Sequence, residues 1–335
     1  MFDIITIGTA TRDVFLTSPL FKILRDPEHL RKIGFSTGEA QCFALGGKVE
    51  VDEPIFTTGG GATNAAVTFS RQGFNVAALI KIGQDETAAN ILKELKKEKI
   101  IPLAVREKNK TTAFSTILLS PSGERTVLVY RGASEDLKTK EIPFEKLQSR
   151  WAYVSPGRIP FETIQKLFNY FSENKTLIAF NPSKYYLEMG LEKLRPLLEK
   201  TKVAIFNREE AAYLTGINYQ KEKEIFKKLD KAIDGIAIMT EGSKGVMVSD
   251  GKNIYSSGIF KGKLIDRTGA GDAFGSGFVA GIIEKNEIEY AIRLGSANAT
   301  SVVEKIGAQK GILIKSDFEN NKRWEDLRIE ATSKI

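Results

Sequence analysis

The sequence predicts an α/β protein, a doubly wound and mostly parallel sheet with a small β-sheet lid. Three observations carry that expectation. Short apolar runs alternate with helical patterns along most of the 335 residues, and strand-then-helix repetition builds parallel sheets covered by helices on both faces. Glycine-rich turns at 59–61 and 269–271 each lead into a helix of small residues, and ligands on such sheets gather at the carboxyl ends of the strands. One stretch that breaks the alternation reads as a hairpin, 112–119 and 125–130 about a turn at Pro121-Ser122-Gly123.

Each element has its own signal. The chain opens at 2–8 with Phe2-Asp3-Ile4-Ile5-Thr6-Ile7-Gly8, a strand without the basic start of a signal peptide. Residues 14–58 hold a long segment that turns at Gly46-Gly47 and alternates in character over 48–56. Its part at 16–38 exceeds what a lid requires, and no role is assigned to it. A helix at 62–72 puts Ala65, Ala66 and Phe69 on one face, 75–81 is apolar and β-rich, and 87–98 is amphipathic. Runs at 152–155, 176–181, 203–207 and 235–240 read as further strands, 291–303 as a helix, and 322–335 as a charged, peripheral tail. The expected division is a large α/β domain of 1–13, 59–111 and 132–335, with a lid of 14–58 and 112–131.

Composition narrows the chemistry. Hydrophobic content of 42% and charged content of 27% are those of a globular protein. The single cysteine, Cys42, excludes a disulfide framework, and the single histidine, His29, removes Ser-His-Asp, Cys-His and His-ligated metal chemistry. Carboxylates, lysines, backbone N–H groups and an oxygen-held metal remain. The net charge of +7 sits largely in mixed-sign runs at 93–99 and 221–228, the pattern of solvated helix faces rather than of a nucleic-acid patch. No apolar run approaches the roughly 20 residues of a membrane span. A cytoplasmic protein without nucleic-acid or membrane partners is expected.

The richest stretch is Asp266-Arg267-Thr268-Gly269-Ala270-Gly271-Asp272, followed by Ala273-Phe274-Gly275-Ser276-Gly277-Phe278. Small residues entering a helix bring N–H groups and the positive end of its dipole to one point, an anion site. A carboxylate there repels an anion unless Asp272 takes a proton from a hydroxyl while the amides hold charge on a transferring phosphoryl group. Gly59-Gly60-Gly61-Ala62-Thr63-Asn64 is neither a P-loop nor a dinucleotide fingerprint. Its glycines let a polyhydroxylated ligand approach the backbone, and Asn64 offers a donor and an acceptor to a hydroxyl pair.

In these motifs the chain resembles the ribokinase-like (PfkB) carbohydrate and nucleoside kinases over nearly its whole length. Gly59–Ala66 looks like the family's sugar-contacting segment, Asn207-Arg208-Glu209-Glu210 is similar to its Asn-x-x-Glu motif, Thr240-Glu241-Gly242-Ser243-Lys244-Gly245 resembles its nucleotide-contacting turn, and Asp266–Asp272 resembles its signature. The resemblance implies ATP with Mg²⁺, transfer of the γ-phosphoryl to a hydroxyl, Asp272 as general base, and the amides of Gly269, Ala270 and Gly271 as anion hole. It further implies acceptor contacts from Asp13, Gly59, Gly60 and Asn64, nucleotide contacts from Asn207, Thr240, Gly242 and Gly245, and Mg²⁺ on Glu210. Asn298 is assigned to the adenine, with Ser296 as the alternative. Arg131 is either a solvated charge or a contact to the acceptor or its phosphate, and Arg158 is a weaker case of the same kind. Gly83-Gln84-Asp85 reads as structural. Arg267 replaces a small hydroxyl residue, and Asn181 replaces an aspartate common in the family. K⁺ is left open, and a homodimer through the lid is the expected assembly. The function expected is a sugar kinase, with a nucleoside kinase and a non-catalytic sugar-binding sensor as alternatives.

Overall fold

The computed structural model describes residues 1–35, 37–120 and 124–333; the expected turn Pro121-Ser122-Gly123 lies outside the described residues. In chain order the elements begin with β1 (Phe2–Gly8), β2 (Thr11–Thr17), β3 (Lys22–Arg25), α1 (Pro27–Lys32), β4 (Glu39–Cys42) and β5 (Ile55–Gly59). They continue with α2 (Gly61–Arg71), β6 (Val76–Ile82), α3 (Glu86–Lys97), β7 (Ile101–Arg106), β8 (Ala113–Leu119), β9 (Arg125–Tyr130) and β10 (Ser149–Ser155). Next come α4 (Phe161–Glu173), β11 (Leu177–Phe180), α5 (Lys184–Leu187), α6 (Leu191–Leu198), β12 (Val203–Asn207), α7 (Arg208–Thr215), α8 (Glu222–Leu229) and β13 (Ile236–Thr240). The chain closes with β14 (Val246–Ser249), β15 (Asn253–Ser257), α9 (Ala270–Lys285), α10 (Ile288–Val303), α11 (Lys315–Glu319) and β16 (Ile329–Ser333).

A ten-stranded sheet runs in the order β16-β15-β14-β13-β12-β11-β10-β1-β6-β7. From β13 to β7 every neighbour pair is parallel, and β14 to β16 add an antiparallel meander. Side chains alternate across a strand, so Ile4 joins the core beneath α2, α9 and α10 while Ile5 and Ile7 join the one beneath α4 and α6. The small residues of α9 have a packing reason. A Cβ on Gly281 would lie 2.6 Å from the Ala291 Cα, and one on Gly277 would lie 3.0 Å from the Gly295 Cα, so α9 and α10 touch nearly backbone to backbone.

A second, four-stranded sheet of order β5-β2-β8-β9 stands apart from the first. The mixed α/β fold with a small separate sheet is as the sequence predicts. β2 begins at Thr11, so Asp13 belongs to the small sheet rather than to the large one.

Two expectations need correction, and the unassigned segment 16–38 takes a definite form. Residues 48–56 do not form an alternating strand: only Ile55–Gly59 pairs, and Pro54 just before it has no N–H to offer a ladder. The segment 16–38 holds the end of β2, then β3 and α1, and β3 pairs antiparallel with β4. Asp26 caps α1 by accepting from the His29 N–H at 3.1 Å, and Pro27 fills the first turn, where its missing N–H is harmless. The C-terminal stretch is not merely peripheral. β16 pairs with β15 along the sheet edge, and Trp324 is buried edge-to-face against Phe260 at 5.1 Å. Among the described residues no helix is long and apolar enough to cross a membrane.

Candidate active site

The signature turn is held from below by its own first residue. Asp266 is fully buried. Its Oδ1 accepts from the Thr268 N–H at 2.9 Å and the Thr268 hydroxyl at 2.7 Å, and its Oδ2 accepts from the Gly307 N–H at 3.0 Å. Gly269 follows at φ 79°, a left-handed conformation that suits glycine. A side chain there would also strike Ala308, whose Cβ lies 2.4 Å from the position a Cβ would take. α9 then starts at Ala270, leaving first-turn N–H groups without helical acceptors. Of the three expected anion-hole amides, that of Ala270 makes a long 3.3 Å bond to the Arg267 carbonyl.

Asp272 stands in that first turn. Burial pushes its carboxyl above the ordinary range, and a 2.8 Å hydrogen bond donated by Asn64 Nδ2 opposes the shift. Tyr153 of β10 faces it, and burial followed by the charge of Asp272 raises that phenol. The structure thus joins Asn64 of the glycine-rich segment to the carboxylate of the signature.

Asp13 is also a buried carboxylate of this region. Burial raises its pKa most, the hydroxyls of Thr11 and Ser115 and the charge of Arg12 lower it, and the charge of Asp266 raises it again. Thr11 Oγ1 donates to Asp13 Oδ1 at 2.9 Å. Gly59 is required by contact: a Cβ would lie 2.0 Å from Asp13 Oδ2. Gly60 adopts φ 101° with the Thr9 carbonyl 2.5 Å from its missing Cβ. The place of a Gly61 Cβ is 2.1 Å from Ser155 Oγ and 3.8 Å from Asp272 Oδ1, which brings Ser155, at the carboxyl end of β10, beside Asp272. Arg12 is not a free surface charge, since it pairs with Glu94 of α3 at 2.5 Å.

Arg131 pairs with Glu135 at 3.1 Å, and Arg158 approaches the same carboxylate at 3.8 Å. Asp85 is structural, as expected. Burial disfavours its charge, yet N–H and hydroxyl donors from Thr112 and the Ala88 N–H outweigh that and lower its pKa.

A cleft of about 290 Å³ opens beside the turn, lined by Thr240, Gly242, Gly245, Arg267, Ala270 and Gly271 and by the apolar Ile259, Phe260, Leu264, Phe274 and Val303. Three of the expected nucleotide contacts therefore share one wall. Asn298 does not reach it. Fully buried, its amide donates to the Ala273 carbonyl at 2.8 Å and accepts from the Leu313 N–H at 3.0 Å, so its polar ends are engaged in the core. Ser296, two residues earlier on α10, lines the cleft instead. Arg267 also reaches the small sheet, pairing with Glu124 at 3.2 Å.

Asn207 and Glu210 form a reciprocal cap on α7. Asn207 Oδ1 accepts from the Glu210 N–H at 2.8 Å, and Glu210 Oε2 accepts from the Asn207 N–H at 2.9 Å. Arg208 between them pairs with Glu241 at 2.7 Å, tying this helix to the Thr240–Gly245 turn. Among the described residues no group of three or more His, Cys, Asp or Glu could hold a metal ion. The donor chemistry of Glu210 nonetheless fits Mg²⁺. Burial raises its carboxyl, no cation pairs with it among the described residues, and Mg²⁺ needs one or two carboxylates beside phosphate oxygens.

Sequence reasoning missed two residues. Lys81, wholly buried on β6, donates to the Asp136 carbonyl and pairs with Glu107 and Glu141, each at 2.9 Å. A lysine inside the run Val76–Ile82 was its visible signal. Gln309 donates from Nε2 to Asn64 Oδ1 at 3.0 Å. Nothing in its spacing announced that contact.

Comparison with known proteins identifies the family. A model of the pfkB family of carbohydrate kinases matches residues 29–315. The ribokinase of Lactococcus lactis is 27% identical over 262 residues, 76% of this chain and 82% of that protein. The cytidine kinase of Thermococcus kodakarensis is 27% identical over 279 residues, 78% of this chain and 95% of that protein. Among solved structures, an uncharacterized sugar kinase of Pyrococcus horikoshii in complex with ATP has a TM-score of 0.72 at 20% identity, covering 96% of this chain and 99% of that one. The fold is ribokinase-like, and the class is that of phosphotransferases with an alcohol group as acceptor. The chain belongs to the pfkB family of carbohydrate kinases.

Proposed function

We propose that this protein transfers the γ-phosphoryl of ATP to a hydroxyl of a sugar or sugar derivative. The observation that carries this reading is the pairing of Asp272, raised by burial, with Asn64 at 2.8 Å beside a helix N-terminus. Asp272 takes the proton of the acceptor hydroxyl as it attacks. The first-turn amides of Gly269, Ala270 and Gly271 hold the charge on the phosphoryl group, at a helix end whose dipole favours it. Asp13 and Asn64 orient the acceptor, whose hydroxyls pass close to the backbone at Gly59 and Gly60. Thr240, Gly242 and Gly245 form the donor wall. Glu210 would hold Mg²⁺, which when bound neutralises and orients the phosphates. The small sheet serves as a lid that excludes water from the transfer.

Support for a sugar comes from the small hydroxyl side chains of Thr11 and Ser115 around Asp13 and from the open backbone at Gly59. The similarity to a named cytidine kinase keeps a nucleoside acceptor as the second reading. Every residue of β9 is exposed, including Val127, Leu128 and Val129, and a second copy of the chain packing on the lid is the assembly this reading assigns. The cytoplasm, where ATP is supplied, is its compartment.

The test is an ADP-release screen over sugars, sugar phosphates and nucleosides, with and without K⁺. Turnover on sugars supports the proposal, and turnover confined to nucleosides supports the second reading. Ligand binding with no turnover on any acceptor would overturn both.

A further inference from the structure

We infer that Gln309 is a positioning residue for the base: its amide decides which end of the Asn64 side chain faces Asp272. The inference rests on the proposed role of Asp272. An ionised carboxylate only accepts hydrogen bonds, whereas an asparagine amide has one donating and one accepting end. Rotating Asn64 by half a turn about its last bond would set Oδ1 against the carboxylate, oxygen against oxygen. That arrangement favours a protonated Asp272, which is useless as a base. Gln309 prevents it by donating to Asn64 Oδ1 at 3.0 Å, leaving only Nδ2 for Asp272 at 2.8 Å.

The Gln309 backbone is fixed, which keeps its amide within reach of Asn64 Oδ1. Two residues earlier the Gly307 N–H is bonded to Asp266 at 3.0 Å, and Ala308 packs beneath Gly269. The Gln309 carbonyl accepts from Arg71 Nη1 at 3.0 Å, and Arg71 is itself held by Glu98 at 2.7 Å. One loop thus supports the anion-binding turn through Gly307 and Ala308 and the base through Gln309.

The other groups around Asp272 do not substitute for this relay. β10 supplies Tyr153, whose phenol is raised and stays neutral, and the Ser155 hydroxyl. α2 supplies Asn64, and within α9 the Ser276 hydroxyl bonds the Asp272 carbonyl rather than its carboxylate. No ion pair on Asp272 occurs among the described residues. Burial has the larger effect on Asp272, and the Asn64 amide is the hydrogen-bonding side chain whose orientation moderates it.

The experiment is the pH profile of kcat, at saturating donor and acceptor, for Gln309→Leu and Gln309→Glu, with Asp272→Asn as control. In both Gln309 variants the acid limb should move to higher pH by about half a unit to one unit. Turnover at pH below that limb should fall roughly three- to ten-fold and recover as the pH rises. A packing role predicts otherwise, since methionine is uncharged and of similar volume to glutamine and would leave the profile in place. The glutamate variant adds a like charge of its own near Asp272, so the leucine and methionine variants decide. An acid limb unmoved in the leucine variant overturns the inference. Where that variant does not fold, Gln309→Met, of similar volume and equally unable to donate, gives the same reading. If Asp272→Asn keeps normal turnover, the base assignment fails and the relay with it. If that control is inactive while the Gln309 profiles stay unchanged, the relay alone is wrong.

Discussion

Asn64 and Asp272, 208 positions apart in the chain, meet through a 2.8 Å hydrogen bond from Nδ2 to Oδ2. The bond links the first turn of α2 to the first turn of α9, so the glycine-rich segment and the signature form one site.

Removing the carboxylate charge should stop the chemistry and leave binding intact. Asp272→Asn is expected to lose on the order of 10²–10⁴ in kcat while retaining nucleotide affinity. On the proposed reading Asp272 must be ionised to act, and burial raises its pKa. Turnover should therefore decline as pH falls through a point above the usual carboxylate range. A coupled assay across pH, with calorimetric titration of nucleotide, checks both statements.

The same substitution should stabilise the fold at neutral pH. A carboxyl whose folded pKa is raised binds its proton more tightly folded than unfolded, so ionisation weighs against the native state as pH climbs past the unfolded value. Asparagine avoids that penalty and can still accept from Asn64. Thermal melts at pH 8 should show Asp272→Asn higher by about 1–3 °C, with the gap closing in acid. A variant that melts lower at pH 8 contradicts the reading of burial.

Gly59→Ala tests the acceptor side. Its methyl would lie 2.0 Å from Asp13 Oδ2, so the carboxylate must move. The acceptor KM should rise roughly 10- to 100-fold, while the donor KM changes by less than about two-fold. Equal rises in both would place Asp13 outside acceptor binding.

Arg267 has two neighbours, Glu124 at 3.2 Å and the donor cleft. Both partners are about half exposed, so the ion pair should contribute less than about 1 kcal/mol to stability. Arg267→Ala should raise the donor KM several-fold, whereas Glu124→Gln should leave it near its native value. Matching donor kinetics in the two variants would mean that Arg267 serves only the ion pair.

Lys81 should be the costliest buried charge to lose. Lys81→Met leaves Glu107 and Glu141 without their shared cation beside an apolar strand and should lower stability measurably at neutral pH. Burial opposes the lysine's charge, but its bonds to Glu141 and Glu107 outweigh burial and raise its pKa. Its contribution is therefore present at neutral pH and lost only as strong alkali deprotonates it. Glu107, held down at about 2 chiefly by its bond to Lys81, contributes above the ordinary glutamate range and loses that contribution as pH falls toward 2. Denaturant titrations at pH 3, at pH 7 and above the ordinary lysine pKa of about 10.5 follow each limb.

How far the sequence carried depended on whether a signal was local. The alternation of apolar runs and amphipathic helices is local, and β1, β6, β10, β12 and β13 lie where it put them. The signature turn and the glycine-rich segment were equally legible, because small residues before a helix have few other uses. Asn298 misled because a polar residue on an otherwise apolar helix looks like a ligand contact, whereas its partners are the Ala273 carbonyl and the Leu313 N–H. Those partners come from other elements, and no spacing reveals them. The 48–56 stretch misled for the opposite reason, since alternation alone does not supply a neighbouring strand. Gln309 lies in a loop whose contacts to Asn64 and Asp266 exist only after folding.

The reciprocal cap of Asn207 and Glu210 bears on the order in which ligands arrive. Glu210 Oε2 already closes the first turn of its own helix, which leaves Oε1 as the oxygen it can offer a divalent ion. One carboxylate oxygen is a small share of the oxygen shell that magnesium requires, and a triphosphate brings further oxygens. On the proposed reading, the empty enzyme would hold free magnesium weakly and admit the ion as a passenger of the nucleotide.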